Sequence, residues 1–204
     1  MKVAVIDTET NDLPDYTKPA DDPCQPRLAS LAIICLELGE DGTASDVREF
    51  TFKIKPEGWE MKPGASKVNG LTTEDLIATG EPVLGVLGAY QNIVEMGHVI
   101  AAYNAQHDCK VMRGELRRAG LDDMFERTFN VCLMRACEPL KIKKASGKGG
   151  WPKLSDACRH FEIPVEPDVH TAINGARCAL GVLLALKKLG KLPEAAVHKA
   201  KDKP

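Results

Sequence analysis

The feature that most narrows the fold of this chain is a change of period near residue 54. Before it, three runs read as strands: Lys2 to Ile6, β-branched and apolar and ending on Asp7; Leu28 to Leu38, a longer apolar run; and Glu49 to Ile54, where polar and apolar residues alternate. Gly39-Glu40-Asp41-Gly42 between the second and third is a turn sequence, which predicts an antiparallel hairpin or meander. Beyond it the spacing becomes helical. Val83, Val86, Leu87, Tyr90, Ile93 and Val94 form one stripe in Pro82 to Met96, behind a start with proline in the first turn. His98 to Ala102 reads as a short strand, and Gln106 to Ala119 as a helix closed by Gly120. Leu154 to Phe161 and Ala172 to Leu189 read as helices, while Phe125 to Leu140 fits either a short strand or a helix. Strands followed by alternating helices and strands give an α/β fold, a mixed sheet with helices on both faces.

A chain of 204 residues has the length of one domain. Hydrophobic residues at 44% and charged residues at 27% are ordinary for a packed protein, which sets aside disordered, collagen-like and coiled-coil architectures. No apolar run approaches the roughly 20 residues of a membrane-spanning helix, and Met1-Lys2 runs directly into the first strand without a secretory leader, so no membrane association and a cytoplasmic location are expected. Seven cysteines without a C-x-x-C pair argue against a disulfide framework and a structural zinc site. The folded domain is expected over residues 1–190, with a basic, flexible tail over 191–204.

The net charge is only -2, but its distribution is uneven. Lys141, Lys143, Lys144, Lys148 and Lys153 share one glycine-rich segment that contains no acid. From Lys187 onward a second basic element carries Lys187, Lys188, Lys191, Lys199, Lys201 and Lys203 against Glu194 and Asp202. Such runs are either solvated surface or contacts to a polyanion.

Asp7 and Glu9 lie two apart at the end of the first strand and therefore share a face. Two carboxylates there either begin a turn and meet solvent, or converge on a hard cation such as magnesium or manganese. Asp108, in the first turn of the helix after the fourth strand, either complements that helix's N-terminus or faces the same crevice. His170, just before the last helix, is either a polar turn residue or a general base.

Together these residues resemble the DEDDh, or DnaQ-like, family of 3'-to-5' exonucleases. Val5-Ile6-Asp7-Thr8-Glu9-Thr10 is similar to the first exonuclease motif, and Arg27 to Ala32 to the strand that follows it. PGASKVNGLTTEDL, from Pro63 to Leu76, resembles the family's P-x-A-x-x-V-[HN]-G-[IL]-T segment, and Tyr103 to Asp108 corresponds to the second motif. The resemblance covers most of the chain. It implies a ribonuclease H-like mixed five-stranded sheet, and hydrolysis of single-stranded DNA or RNA 3' ends to nucleoside monophosphates. Asp7, Glu9 and Asp108 would hold metals, two Mg2+ or Mn2+ ions per complete site, and His170 would serve as base. For the substrate it implies contacts from Thr8, Leu13, Asn69 and Asn104, with Leu13 wedging between terminal bases, Asn104 placing the sugar-phosphate end and Lys148 in the basic loop holding the strand upstream. Its partner classes include a polymerase or other replication protein, and a second copy of the chain.

The third motif departs from the pattern. The family has H-x-A-x-x-D-A, whereas this chain has His170-Thr171-Ala172-Ile173-Asn174-Gly175-Ala176, with Gly175 where the last metal-binding aspartate belongs. Glycine is also a poor residue inside a helix, by up to about 1 kcal/mol relative to alanine, so folding preference does not account for it. Three explanations stand: an introduced inactivating change, a natural relative that binds 3' ends without hydrolysis, or completion of the site by Asn174 or Asp168. The expectation is an impaired exonuclease, with a catalytically inactive 3'-end binding module as the alternative and an unrelated metal-dependent phosphoesterase as a third reading.

Overall fold

Apolar side chains alternating between two faces of β1, Lys2–Thr10, divide the core into two. Val3 and Val5 point to one side, with Ala176, Ala179 and Val182 of α7. Ala4 and Ile6 point to the other, with Val86 and Leu87 of α3 and Met112 of α4. The computed structural model describes residues 1–147, 150–165 and 171–200. Its elements run β1, β2 (Leu28–Leu38), β3 (Ala44–Lys53), α1 (Pro63–Asn69), α2 (Thr73–Thr79), α3 (Val83–Glu95), β4 (Val99–Ala102), α4 (Ala105–Arg118), β5 (Phe129–Cys132), α5 (Leu133–Ala136), α6 (Leu154–His160), α7 (Ala172–Lys188) and β6 (Ala196–Val197).

The sheet order is β3-β2-β1-β4-β5-β6. β1 pairs antiparallel with β2 and parallel with β4, β4 pairs parallel with β5, and β2 pairs antiparallel with β3. The sheet is therefore mixed, with helices on both faces as the alternation of elements predicts. Among the described residues it has six strands rather than the expected five. The sixth is a two-residue strand in the C-terminal stretch, where Phe129 faces Val197 and Asn130 faces Ala196, and Leu192 and Ala195 just before it pack on the core. No helix among the described residues is long and apolar enough to cross a membrane.

Local sequence explains several boundaries. Gly42, with φ of 79°, turns the β2–β3 hairpin, which the Gly39 amide closes by donating to Thr43 O. β3 begins earlier than the alternation at Glu49 suggests, because the register shifts opposite Cys35 to Glu37 and Asp46 takes φ of 51°. This bulge breaks the period of two that a reading of the sequence relies on. Phe125 to Leu140, open between strand and helix, contains both: β5 and α5 abut with four residues each. Cys35 and Cys178 are buried, and Cys132 is partly so.

The segment between β1 and β2 has no regular structure and is held by side chains instead. Asn11 Oδ1 accepts from Arg27 N at 2.7 Å while its Nδ2 donates to Glu60 O at 2.9 Å. Glu115 of α4, 2% exposed, accepts from Arg27 Nε at 2.7 Å, Leu28 N at 3.1 Å and Arg118 Nη1 at 3.1 Å. Arg118 also donates to the carbonyls of Asp22 and Gln25. One buried carboxylate thus fastens the C-terminal end of this segment to α4. Replacing one partner of such a buried, charged network leaves uncompensated charge, typically about 3–5 kcal/mol. Glu115→Ala is expected to lower unfolding stability by about 3 kcal/mol, measured by urea denaturation; a loss below about 0.5 kcal/mol would show that the segment is held by other contacts.

Candidate active site

The end of β1 delivers its residues to two faces. Asp7 and Glu9 continue the Val3–Val5 face toward α7, and Thr8 continues the Ala4–Ile6 face toward α4. Thr8 meets Asp108 there: its amide and its hydroxyl both donate to Asp108 Oδ1, at 3.0 and 2.8 Å. Asp108 sits in the first turn of α4 and is 3% exposed. The residue expected to touch substrate therefore positions a carboxylate. Asn69, at the end of α1 before Gly70 (φ 72°), is buried, donates to Thr10 O at 3.3 Å and hydrogen-bonds the Glu9 carboxylate.

The electrostatics are those of crowded acids. Burial pushes Asp7 well above the usual carboxylate range, and the negative charges of Asp108 and Glu9 push it further. Glu9 is pushed up to about 7, chiefly by burial, with the Asn69 bond opposing and Asp108 adding. Asp108 is raised by burial, against which the nearby His107 and the Thr8 donors act. None of the three carboxylates has a lysine or arginine partner among the described residues.

Gly175 stands directly against this group. It belongs to the stripe of α7 that buries Ala172, Ala176 and Ala179. A Cβ built on it would lie 2.4 Å from Asp7 Oδ2 and 2.7 Å from Asp7 Cγ. The Asp7 carboxylate leans into the space from which a side chain at residue 175 would start. The obstructing atoms are the far end of one side chain, so an aspartate here requires only that Asp7 turn aside.

Leu13, expected to wedge between terminal bases, is 83% exposed. Asn104 occupies the N-cap position of α4, yet its side chain makes no capping bond; it hydrogen-bonds the Tyr16 hydroxyl instead. Tyr16 also lies 3.4 Å from His107 Nδ1 and has the Lys110 ammonium 6.0 Å from its ring centroid. Tyr16 and His107 thus join the mouth of the site without having been singled out as substrate contacts. His170, Asp168 and Lys148 lie outside the described residues. Asn174 donates its amide to the Thr171 hydroxyl at 3.4 Å, which caps α7.

Among the described residues no three His, Cys, Asp or Glu side chains are already arranged around an ion position. The donor chemistry nonetheless fits a hard divalent cation: three carboxylates, Asp108 buried and Asp7 and Glu9 partly so, with no lysine or arginine partner among the described residues. Position 175 itself is filled from the other side by the Asp7 carboxylate.

A family model described as Exonuclease (RNase T) matches residues 4–183, and the chain belongs to this DnaQ-like exonuclease family. It is 29% identical over 133 residues to the protein named uncharacterized exonuclease CP81 of Escherichia phage 186, a match covering 62% of this chain and 66% of that one. Among solved structures it resembles E. coli exonuclease I in complex with a dT13 oligonucleotide, with a TM-score of 0.72 and 21% identity over 91% of this chain and 41% of that one. Exonuclease I from Methylocaldum szegediense gives 0.71 and 22%, over 92% and 40%. Cell-death related nuclease 4 gives 0.69 and 12%, over 93% and 64%. These likenesses establish the ribonuclease H-like fold. The chain spans about two fifths of the exonuclease I chains and less than two thirds of the phage relative.

The crowded carboxylates make stability depend on pH in a definite direction. Glu9 binds its proton more tightly in the folded state, so its contribution is fully present below about 4.5 and is lost as pH rises toward about 7. Asp7, raised as well, acts in the same sense. The metal-free protein is expected to melt at a lower temperature at pH 8 than at pH 5, and Asp7→Asn to recover part of the difference. Manganese should raise the melting temperature of the parent at pH 8 and that of Asp7→Asn much less. Differential scanning fluorimetry decides it, and a flat pH profile would count against the crowding.

Proposed function

We propose that the chain is a metal-dependent 3'-to-5' exonuclease domain acting on single-stranded nucleic acid ends, and that hydrolysis by this form is impaired at Gly175. The observation that carries the reading is the gathering of Asp7, Glu9 and Asp108 at the end of β1 and the start of α4, beside a glycine whose Cβ would enter the same space. Family membership supports nuclease chemistry, and the oligonucleotide in the E. coli exonuclease I complex supports single-stranded DNA as a substrate class.

In this reading Asp7, Glu9 and Asp108 hold Mg2+ or Mn2+. When bound, such ions activate water and stabilise the leaving 3'-oxygen of a phosphodiester. Thr8 fixes Asp108 with two bonds and Asn69 orients Glu9, so neither carboxylate swings away. His170 takes the proton from the attacking water. The products are a nucleoside 5'-monophosphate and a strand one residue shorter with a new 3'-hydroxyl. Leu13 and Asn104 line the entry for the terminal nucleotides, and the lysines of the 141–153 loop, Lys148 among them, contact upstream phosphates. With glycine at position 175 one carboxylate is missing, and Asp7 turns toward the vacant position.

The same observation favours a second reading, a module that binds 3' ends without turnover. The discriminating experiment digests 5'-labelled single-stranded DNA and RNA with Mg2+ and with Mn2+, comparing the parent with Gly175→Asp and Gly175→Ala. Gly175→Asp is expected to restore a 3'-to-5' ladder at least about a hundredfold above the parent, while Gly175→Ala, which fills the same first position without a ligand, stays at the parent level. Equal cutting by all three would mean that another ligand completes the site. No cutting by any, with retained preference for free 3' ends, would make the chain a binding module.

A further inference from the structure

The C-terminal basic element takes no part in the site described above, yet the fold brings part of it to one place. Pairing of β6 with β5 swings residues 191–199 across the sheet edge, beside α5 and the flank of α4. Between them lies a cavity of about 630 Å³, within the range of ligand pockets. Phe125 and Val131 contribute apolar surface to it, and Lys110, Arg135, Lys191 and Lys199 line it against one acid, Glu194. In a protein that carries net negative charge this is a local excess of cations.

The pairing pattern of the arginines sharpens the point. Among the described residues every arginine except Arg48 and Arg135 sits in an ion pair. Arg135 is exposed, lines the cavity and has no carboxylate partner; Lys191 and Lys199 have none either among the described residues. Cationic side chains left available around an apolar wall suit a ligand with phosphates and flat rings, and poorly suit a purely apolar or cationic one.

The cavity also adjoins the site. Tyr16, whose hydroxyl faces His107 next to Asp108, is part of its wall, as are Ala105 and Gln106 from the first turn of α4. On its other side Pro139 leads into Lys141 and the basic loop. A strand whose end lies at the carboxylates can turn around the α4 N-terminus into this cavity.

We infer that the cavity between α4, α5 and the β6 segment is a second strand-binding site, which holds nucleotides of the same single strand upstream of its 3' end, with phosphates on Arg135, Lys191 and Lys199 and bases against Phe125. This rests on the reading of the carboxylate site as a 3'-end site, and it gives the C-terminal basic element a function of its own.

The test is equilibrium binding with EDTA present, so that no strand is cut, using the full chain and the double variant Arg135→Gln/Lys199→Gln. Both residues are exposed and outside the carboxylate site, so folding is expected to be intact, which a melting curve checks. Fluorescence anisotropy compares an oligothymidylate of about 16 nucleotides with one of about 4, the span of single-strand sites. For the long strand the double variant should bind about tenfold more weakly at low salt, and its log–log salt slope should fall by about 1.4, or about 0.7 per phosphate contact. Affinity for the short strand should be unchanged. An unchanged slope and affinity for the long strand, in a parent that still prefers a 3'-hydroxyl over a blocked 3' end, would overturn this inference and leave the 3'-end reading standing. Loss of that end preference in the parent would instead overturn the reading on which it rests. Parent binding to an oligoglutamate peptide more tightly than to the long strand, abolished in the double variant, would overturn it in favour of a protein partner.

Discussion

Two hydrogen bonds from one threonine to one aspartate, separated by 100 residues in sequence, fix the geometry on which the rest of the site depends. Thr8 and Asp108 are both buried, and the bonds join the last ordered turns of β1 to the first turn of α4. A buried carboxylate oxygen without donors would be costly, so this pairing sets how far α4 stands from the central strand. The positions of Asn104 and His107 follow from it, because both lie at the start of α4 beside Asp108. The Glu115 network at the other end of α4 performs the complementary task, holding the C-terminal end of the irregular 11–27 segment, whose Tyr16 reaches His107.

Against this rigid frame the carboxylate group is under tension of a different kind. Asp108 raises the proton affinity of both Asp7 and Glu9, Glu9 adds to that of Asp7, and among the described residues no lysine or arginine pairs with any of the three. Binding sites commonly accept such a cost because a ligand removes it. With glycine at position 175 the group carries one charge fewer than a set of four carboxylates would; in the function proposed above it is correspondingly weaker as a cage. The small side chains Ala172, Ala176 and Ala179 on the same stripe show that α7 approaches β1 closely here, so a change at position 175 is felt by Asp7 rather than absorbed by empty space.

Much of this was legible in the sequence, for identifiable reasons. Long elements with an unbroken period, such as Leu28–Leu38 and Ala172–Lys188, announce themselves through burial on one or both faces. The placement of Asp7 and Glu9 at the end of β1 and of Asp108 in the first turn of α4 was legible because strand alternation and the return to helical spacing after the fourth strand mark both points. β5 and α5 were not separable, because four residues are too few to display either period. The first half of β3 was hidden by the bulge at Asp46. β6 has only two residues and exists because β5 offers it an edge. The role of Tyr16 was invisible for a similar reason: its partners His107 and Asn104 lie about 90 residues away, and nothing local distinguishes it from a loop tyrosine. Thr8 was assigned to substrate through motif likeness, whereas its bonds are to Asp108.

The two rims of the sheet are unlike, and that difference bears on how copies of the chain can meet. At one rim β3 presents its free backbone groups along Ala44–Lys53, but Asp46 bends it away with a positive φ, and Arg48, Glu49 and Lys53 stud its length. A second strand adding there would face a kinked ladder and mismatched charges, the devices by which sheet proteins resist edge-to-edge polymerisation. At the other rim β6 covers only the first two residues of β5. The β3 rim is thus insulated against growth of the sheet, whereas at the other rim Val131 and Cys132 of β5 have no strand partner on that side among the described residues.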